Sequence, residues 1–253
     1  MLLQKSLRLF RKSPVRFFQV AFSEVYNSLF ARPDTRPPQT ESAYLNDVIR
    51  RSQQPRTDIS DHLITLFNEA VTAKPKLIVE LGVRGGESTF VLERVARLTG
   101  AHLVSVDIED CSDSSSYENW NFIQMDDVAF AKQFKSWCAE RNIDSAIDVL
   151  FIDTSHLFDH TVEEINNWLP LTSSRARVIL HDTNMGGFYF RTDGSMGVGP
   201  DNQRGVIAAL ERYFRTTFRE KRNFIDYRDG WLIRHYARSS GFTILERNDT
   251  LRQ

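Results

Sequence analysis

Two short stretches carry most of the reactive side chains. Asp153-Thr154-Ser155-His156 follows the apolar run Ile147 to Ile152, and His181-Asp182-Thr183 follows the run Ala176 to Leu180. Two carboxylates and an imidazole suit a divalent cation when they meet, because oxygens and an imidazole nitrogen satisfy such an ion. An imidazole beside them can accept a proton near neutral pH. Each residue also has a purely structural alternative. Asp153 can cap a helix, His156 can be a hydrogen-bonded loop histidine, His181 can satisfy strand-end backbone groups, and Asp182 can serve a turn. Four such residues at two strand ends are harder to assign to structure alone. His160, in the helix that follows, is expected at the surface or behind the site.

A third stretch is Lys76-Leu77-Ile78-Val79-Glu80-Leu81-Gly82-Val83-Arg84-Gly85-Gly86. An apolar run ends in a carboxylate, breaks into glycines, and gives way to a helical pattern from Ser88 to Leu92. This is a buried strand entering a tight turn, where glycine lets the backbone approach a ligand that a Cβ would repel. Asp107 ends a second run, where an acid can bind both hydroxyls of a ribose. Asp126 and Asp127 follow a third run, in position to read an adenine edge. The spacing Gly-x-x-Gly-Gly differs from the dinucleotide fingerprint, and Glu80 would face a pyrophosphate. A dehydrogenase is therefore disfavoured, and a cofactor carrying a positive amine fits better.

These side chains need a framework of alternating helix and strand. Helices are expected over Asp58 to Ala73, Glu87 to Leu98, Val128 to Arg141, Phe158 to Trp168 and Arg204 to Tyr213. Strands are expected over Leu77 to Glu80, Leu103 to Asp107, Asn121 to Gln124, Ile147 to Ile152 and Ala176 to Leu180. Two more follow, near Asn223 to Tyr227 and Phe242 to Arg247. Repeated strand–helix units imply a mainly parallel sheet covered on both faces. Such sheets bind ligands beyond the carboxyl ends of their strands, where every polar group named above falls.

The chain has 253 residues and is 41% apolar, enough for one large α/β domain with an extension. A net charge of −1 argues against a general nucleic-acid backbone binder, which would need a basic surplus. Two cysteines without metal or disulfide spacing point to a reducing compartment and a cytoplasmic location. The first 32 residues differ in character. Lys5, Arg8, Arg11, Lys12, Arg16 and Arg32 face one acid, Glu24, and Phe18, Phe22, Val25 and Leu29 share a helical face. Three readings stand: a docking arm or dimer element of a homo-oligomer, a basic anchor at the inner face of a membrane, or a transit peptide. Pro14 separates two short helices. The proline-rich stretch from Arg32 to Gln39 ends this extension, so residues 1–39 precede a domain over 40–253.

The stretch from Glu80 to Gly86 resembles the first motif of class I S-adenosylmethionine-dependent methyltransferases in its Glu-x-Gly-x-x-x-Gly form, and Asp107 resembles their ribose-binding acid. The resemblance runs from about Lys74 to Arg247. It implies a Rossmann-like α/β sheet of order 3-2-1-4-5-7-6 between helices, with an N-terminal helical extension. The cofactor it implies is S-adenosylmethionine, held by Glu80, Gly82, Gly85, Gly86, Ser88, Asp107, Asp126 and Asp127. Glu80 and Gly82 would lie by its methionine part, and Asp126 or Asp127 near adenine.

Strands four and five are neighbours in that sheet, so Asp153, His156, His181 and Asp182 are expected to converge beside the cofactor's methyl group. Here the chain is similar to metal-dependent sugar O-methyltransferases of macrolide and rhamnose tailoring and to cephalosporin-hydroxylase-like proteins. The resemblance implies Asp153 and His156 as catalytic residues, with His156 the general base. It also implies a magnesium or manganese ion held by Asp153, His181 and Asp182, and a small-molecule or glycan acceptor. His181 stands where that family has an acid, which favours manganese or leaves His181 as a supporting residue. The long loop from Met185 to Gln203, with glycines among aromatics, is expected to act as a lid over the acceptor. Two other readings remain open: an iron-dependent hydroxylase built on a His/carboxylate triad, and a non-catalytic cofactor-binding scaffold.

Overall fold

The computed structural model describes residues 12–54, 56–184, 186–199 and 204–248. The stretch 1–11 of the extension, and Met185 and 200–203 of the long loop, lie outside these. Helix α1 (Pro14–Phe30) begins with Ser13 as N-cap, its hydroxyl accepting from Arg16 N, and with proline in the first position. A second helix that the periodicity did not indicate, α2 (Ala43–Gln53), is capped by Ser42 in the same way. The expected helix over Asp58 to Ala73 starts as a single 3-10 turn, Ser60–His62, and continues as α3 (Leu63–Thr72).

The alternating units then follow in order: β1 (Leu77–Leu81), α4 (Glu87–Thr99), β2 (His102–Asp107), β3 (Trp120–Gln124), α5 (Asp127–Ala131), α6 (Phe134–Glu140), β4 (Ile147–Ile152), α7 (Phe158–Trp168) and β5 (Thr172–His181). The helix expected over Val128 to Arg141 is thus broken in two. The break accompanies an aromatic cluster in which Phe134 meets Phe130 at 5.8 Å and Trp168 at 5.2 Å. A short ribbon, β6 (Tyr189–Phe190) and β7 (Met196–Gly197), lies within the long loop. Helix α8 (Gly205–Phe214) precedes β8 (Phe224–Arg228), β9 (Trp231–Tyr236) and β10 (Phe242–Arg247).

The eight-stranded sheet has the order β3-β2-β1-β4-β5-β10-β9-β8. Five strands are parallel, and β10, β9 and β8 run antiparallel to their neighbours. The expected order is met through β5. Beyond it, β10 is the expected seventh strand and β8 the expected sixth, but β9, not among the expected strands, lies between them and leaves β8 at the edge. β1 and β4 are buried at every position, as strands covered on both faces must be. Alternate residues serve two cores. Leu77, Val79 and Leu81 join Phe134, Trp168 and Leu210 on one side, while Ile78 joins Leu63, Val91 and Phe151 on the other. The strand order reverses between β1 and β4, and there the carboxyl ends open a crevice.

No described helix is long and apolar enough to cross a membrane.

Candidate active site

A cavity of about 830 Å³ occupies that crevice. Gly82, Val83, Arg84 and Gly85 line it from the turn after β1, Ser88 from the first turn of α4, and Asp107 from the end of β2. Asp126 and Asp127 line it after β3, and Asp153 to His156 after β4. Thr57, Asp58 and Ile59 before α3, together with Tyr189, Arg191 and Val198 of the long loop, form the opposite wall.

The turn after β1 is shaped for close approach. Gly82 has φ +87° and a Cβ on it would collide with the Asp153 carbonyl, while a Cβ on Gly85 would meet no atom within 4 Å. Asp107 Oδ2 accepts from Val83 N at 2.8 Å and Arg84 N at 3.0 Å, so this carboxylate holds the turn as well as facing the cavity. Glu80 does not line the cavity. It is fully buried and accepts from the hydroxyls of Ser88 (2.6 Å), Thr89 (2.9 Å) and Ser105 (2.6 Å), which ties β1, β2 and the first turn of α4 together. Burial pushes its pKa up to about 7, against the opposing pull of the three hydroxyls. Gly86 starts α4 with φ +74° and stands behind the lining residues.

Asp153, His156, His181 and Asp182 come together, as their strand-end positions require. His156 Nε2 lies 2.9 Å from Asp153 Oδ1 and 3.1 Å from Asp182 Oδ2. His181 Nδ1 lies 3.3 Å from Asp153 Oδ1 and 3.5 Å from Asp182 Oδ1, and its Nε2 lies 3.3 Å from Ser240 Oγ. His181 and Asp182 are buried behind Asp153 and His156, which face the cavity. Two of the four hold strained backbone, His156 at φ 60° and Asp182 at φ 55°. Such conformations cost on the order of 1–3 kcal/mol each and collect where function fixes them. Gly205 at the start of α8 secures the His156 turn, because a Cβ there would collide with the His156 carbonyl.

The four groups set one another's charge. Burial disfavours charge on His181, but the carboxylates of Asp182 and Asp153 outweigh it and push its pKa up to about 10. Burial likewise opposes charge on His156, and Asp153 and Asp182 raise its pKa all the same. Asp153 is held well below the usual carboxylate range, its partial burial being overcome by His181 and His156. Asp182 moves upward because burial dominates. Behind His181, the His62 ring stacks on Phe242 at 4.7 Å. Burial, reinforced by the charge on His181, drops its pKa to about 3 and keeps it neutral.

A second cluster borders the cavity. His160 lines it and bonds Asp127 Oδ1 at 2.9 Å, so it is not a surface residue. That bond raises its pKa to about 9. Glu164, fully buried, accepts from Thr154 Oγ1, and burial followed by the nearby Asp127 pushes it up to about 8. Sequence reasoning passed over Glu164, although the i,i+4 spacing from His160 signals a shared helix face. It also missed His62, Ser240 and Thr57 to Ile59, none of which carries a local signal of its role.

Residues 79–183 match the model of a family described as a methyltransferase domain. No curated protein matches the chain significantly in sequence. Among solved structures, the fold is similar to TomG, an O-methyltransferase from Streptomyces achromogenes involved in tomaymycin synthesis and solved with SAM. The TM-score is 0.52 at 14% identity, over 90% of this chain and 96% of that one. An O-methyltransferase from Bacillus cereus, solved with SAH, gives 0.52 at 15% identity over 90% and 97%. MycE of the mycinamycin biosynthetic pathway, solved with Mg, SAH and mycinamycin VI, gives 0.51 at 15% identity over 82% of this chain and 54% of that one. At such identities the likeness is one of fold. The fold is that of class I methyltransferases.

Proposed function

We propose that this chain is an S-adenosylmethionine-dependent O-methyltransferase acting on a hydroxyl of a sugar or glycosylated compound, with a divalent cation and with His156 as general base. The observation that carries the reading is the cluster in which Asp153 and His156 face the cavity lined by the Gly82–Gly85 turn and Asp107, with His181 and Asp182 packed directly behind them.

The residues suit both a nucleoside cofactor and a divalent cation. The open space before Gly85 and the carboxylate of Asp107 suit a nucleoside cofactor lying along the ends of β1 and β2. When bound, that cofactor supplies a methyl group on a sulfonium, electrophilic toward oxygen. The ligand atoms of Asp153, His181 and Asp182 lie within 4.8 Å of one another, and Asp182 Oδ1 is buried without a hydrogen-bond partner. His181 Nδ1 stands 3.5 Å from that oxygen, too far for a good hydrogen bond, so a closer ligand would satisfy it better. A cation held there would supply Lewis acidity to an acceptor hydroxyl. Nitrogen in the donor set favours manganese or another transition ion over magnesium.

The side chains of the chain itself do the rest. Asp153 and Asp182 both face Nε2 of His156, fix the ring and stabilise its protonated form. Nδ1 is then left to take the acceptor's proton, the logic by which a carboxylate sets a catalytic histidine's tautomer. The strained His156 backbone keeps the ring in that direction, and positioning supplies much of the rate. Tyr189 and Arg191 stand across the cavity, where an aromatic face and a guanidinium suit a polyhydroxylated ring. MycE, whose fold is similar, was solved with mycinamycin VI.

The test is transfer of labelled methyl from S-adenosylmethionine to a panel of sugars and glycosylated small molecules, with and without EDTA. Label on a hydroxyl, dependent on metal and on His156, is the expected result. Labelled nitrogen or carbon acceptors only, or oxygen consumption with iron in place of methyl transfer, would overturn the reading.

A further inference from the structure

The acids that follow β3 meet α7 beside the cavity. Asp126 caps α5 and Asp127 is its first residue, while His160 and Glu164, four residues apart, share one face of α7. Asp126 is exposed, Asp127 is buried, and Glu164 is fully buried. His160 Nε2 lies 2.9 Å from Asp127 Oδ1 and 3.6 Å from Glu164 Oε1. Ligand atoms of Asp126, Asp127 and His160 all fall within 4.8 Å of one another. Three acids and one imidazole thus converge from two elements.

Two oxygens of this cluster lack a donor. Asp127 Oδ2 and Glu164 Oε2 are both buried, and neither has a hydrogen-bond partner. After burial, the Asp127 carboxylate does most to raise the Glu164 pKa, so the two acids crowd each other. His160 does not relieve both. Its Nε2 is committed to Asp127, and 3.6 Å is too long for a hydrogen bond to Glu164. Thr154, next to Asp153, donates its hydroxyl to Glu164 Oε1 and leaves Oε2 unmet. One small dication among these side chains would satisfy both oxygens. A tetrahedral zinc with bonds of about 2.0–2.1 Å sets neighbouring ligand atoms about 3.3 Å apart. The two distances from His160 fall on either side of that spacing.

We propose that Asp126, Asp127, His160 and Glu164 form a further cation site, for zinc or a similar divalent transition ion, where the β3–α5 turn meets α7. An imidazole among carboxylates selects such an ion over magnesium or calcium. Thr154 steadies the Glu164 carboxylate from behind, as hydrogen-bonding groups commonly do for metal ligands. The ion replaces the protons that otherwise relieve the crowding of the acids. It also pins the β3–α5 turn to α7, the helix that follows the Asp153–His156 segment. The site shares no ligand with the cluster of Asp153, His181 and Asp182, and it stands whether or not that cluster holds a cation.

The experiment is calorimetric titration of the full chain, stripped with EDTA and dialysed, with zinc chloride alone. Native protein binds one ion more than His160→Gln/Glu164→Gln. In an Asp153→Asn/Asp182→Asn background, which disables the other cluster, one zinc per chain still binds in the micromolar range. Adding His160→Gln/Glu164→Gln to that background weakens this binding by about 100-fold or more. Circular dichroism establishes that each variant is folded, and His160→Gln alone, at a partly exposed position, gives the same loss should the Glu164 substitution unfold the chain. No difference in zinc bound between native protein and the folded His160 variants overturns the proposal. So does equal zinc affinity with and without His160→Gln in the Asp153/Asp182 background, which would put the ion elsewhere. Native protein that binds no zinc overturns it too, and leaves Asp127 and Glu164 as a carboxyl pair sharing a proton.

Discussion

A Cβ on Gly82 would stand 2.1 Å from the carbonyl oxygen of Asp153, closer than any side chain could be tolerated. Asp153 N in turn donates to Leu81 O at 2.8 Å. The turn that faces the cofactor cavity and the strand end that carries the reactive cluster are therefore one rigid junction. Gly82→Ala meets two penalties, the collision and a left-handed φ. We expect a loss of about 2–4 kcal/mol in urea unfolding together with weakened S-adenosylhomocysteine binding. A variant with native stability and affinity would mean the junction is not rigid.

His156→Ala removes a ring that no packing core depends on, at the cavity side of the cluster. It should keep S-adenosylhomocysteine affinity within a small factor and lower methyl transfer by about 10²–10⁴-fold. Calorimetry and single-turnover rates read the two effects separately. Turnover near the native level would remove His156 as the base.

Asp182→Asn keeps the shape of a buried side chain and removes a charge from the cation's donor set. Native enzyme stripped with EDTA should regain activity with manganese more fully than with magnesium, and the variant should respond to neither. Equal activity of native enzyme with and without EDTA would leave Asp153, His181 and Asp182 as a charge-balanced structural cluster.

Glu80 gives a prediction in pH. Its folded-state pKa of about 7 exceeds the ordinary 4.5, so between these values the folded state keeps a proton that the unfolded state has lost. Stability therefore falls as pH climbs through that window and levels off above it. Glu80→Gln removes this term. The unfolding free energy of native protein relative to the variant should drift downward by on the order of 3 kcal/mol across the window. Parallel pH profiles would show that the three hydroxyls keep Glu80 ionised throughout.

Much of this arrangement can be read before folding. The run into Glu80 and the glycines, Asp107, and the two strand ends at Asp153 and Asp182 are local signals, and neighbouring strands must bring strand-end groups together. Other features needed the tertiary structure. β9 was passed over although Asp229-Gly230, with φ of 49° and 84°, is a two-residue hairpin signal between Arg228 and Trp231. The task of Glu80 depends on Ser105 and Thr89 arriving from other elements, which its position beside the glycines does not reveal. His160 faces the cavity because Asp127 draws it there across 33 residues. The ribbon β6–β7 takes its support from α1, a partner far away in sequence.

Calorimetric titration with S-adenosylhomocysteine, native protein against Asp107→Ala and with or without manganese, tests the central claim most directly. The account predicts micromolar-range binding that the variant loses, since Asp107 both faces the cavity and holds the amides of Val83 and Arg84. No binding by folded native protein under any of these conditions would contradict the methyltransferase reading.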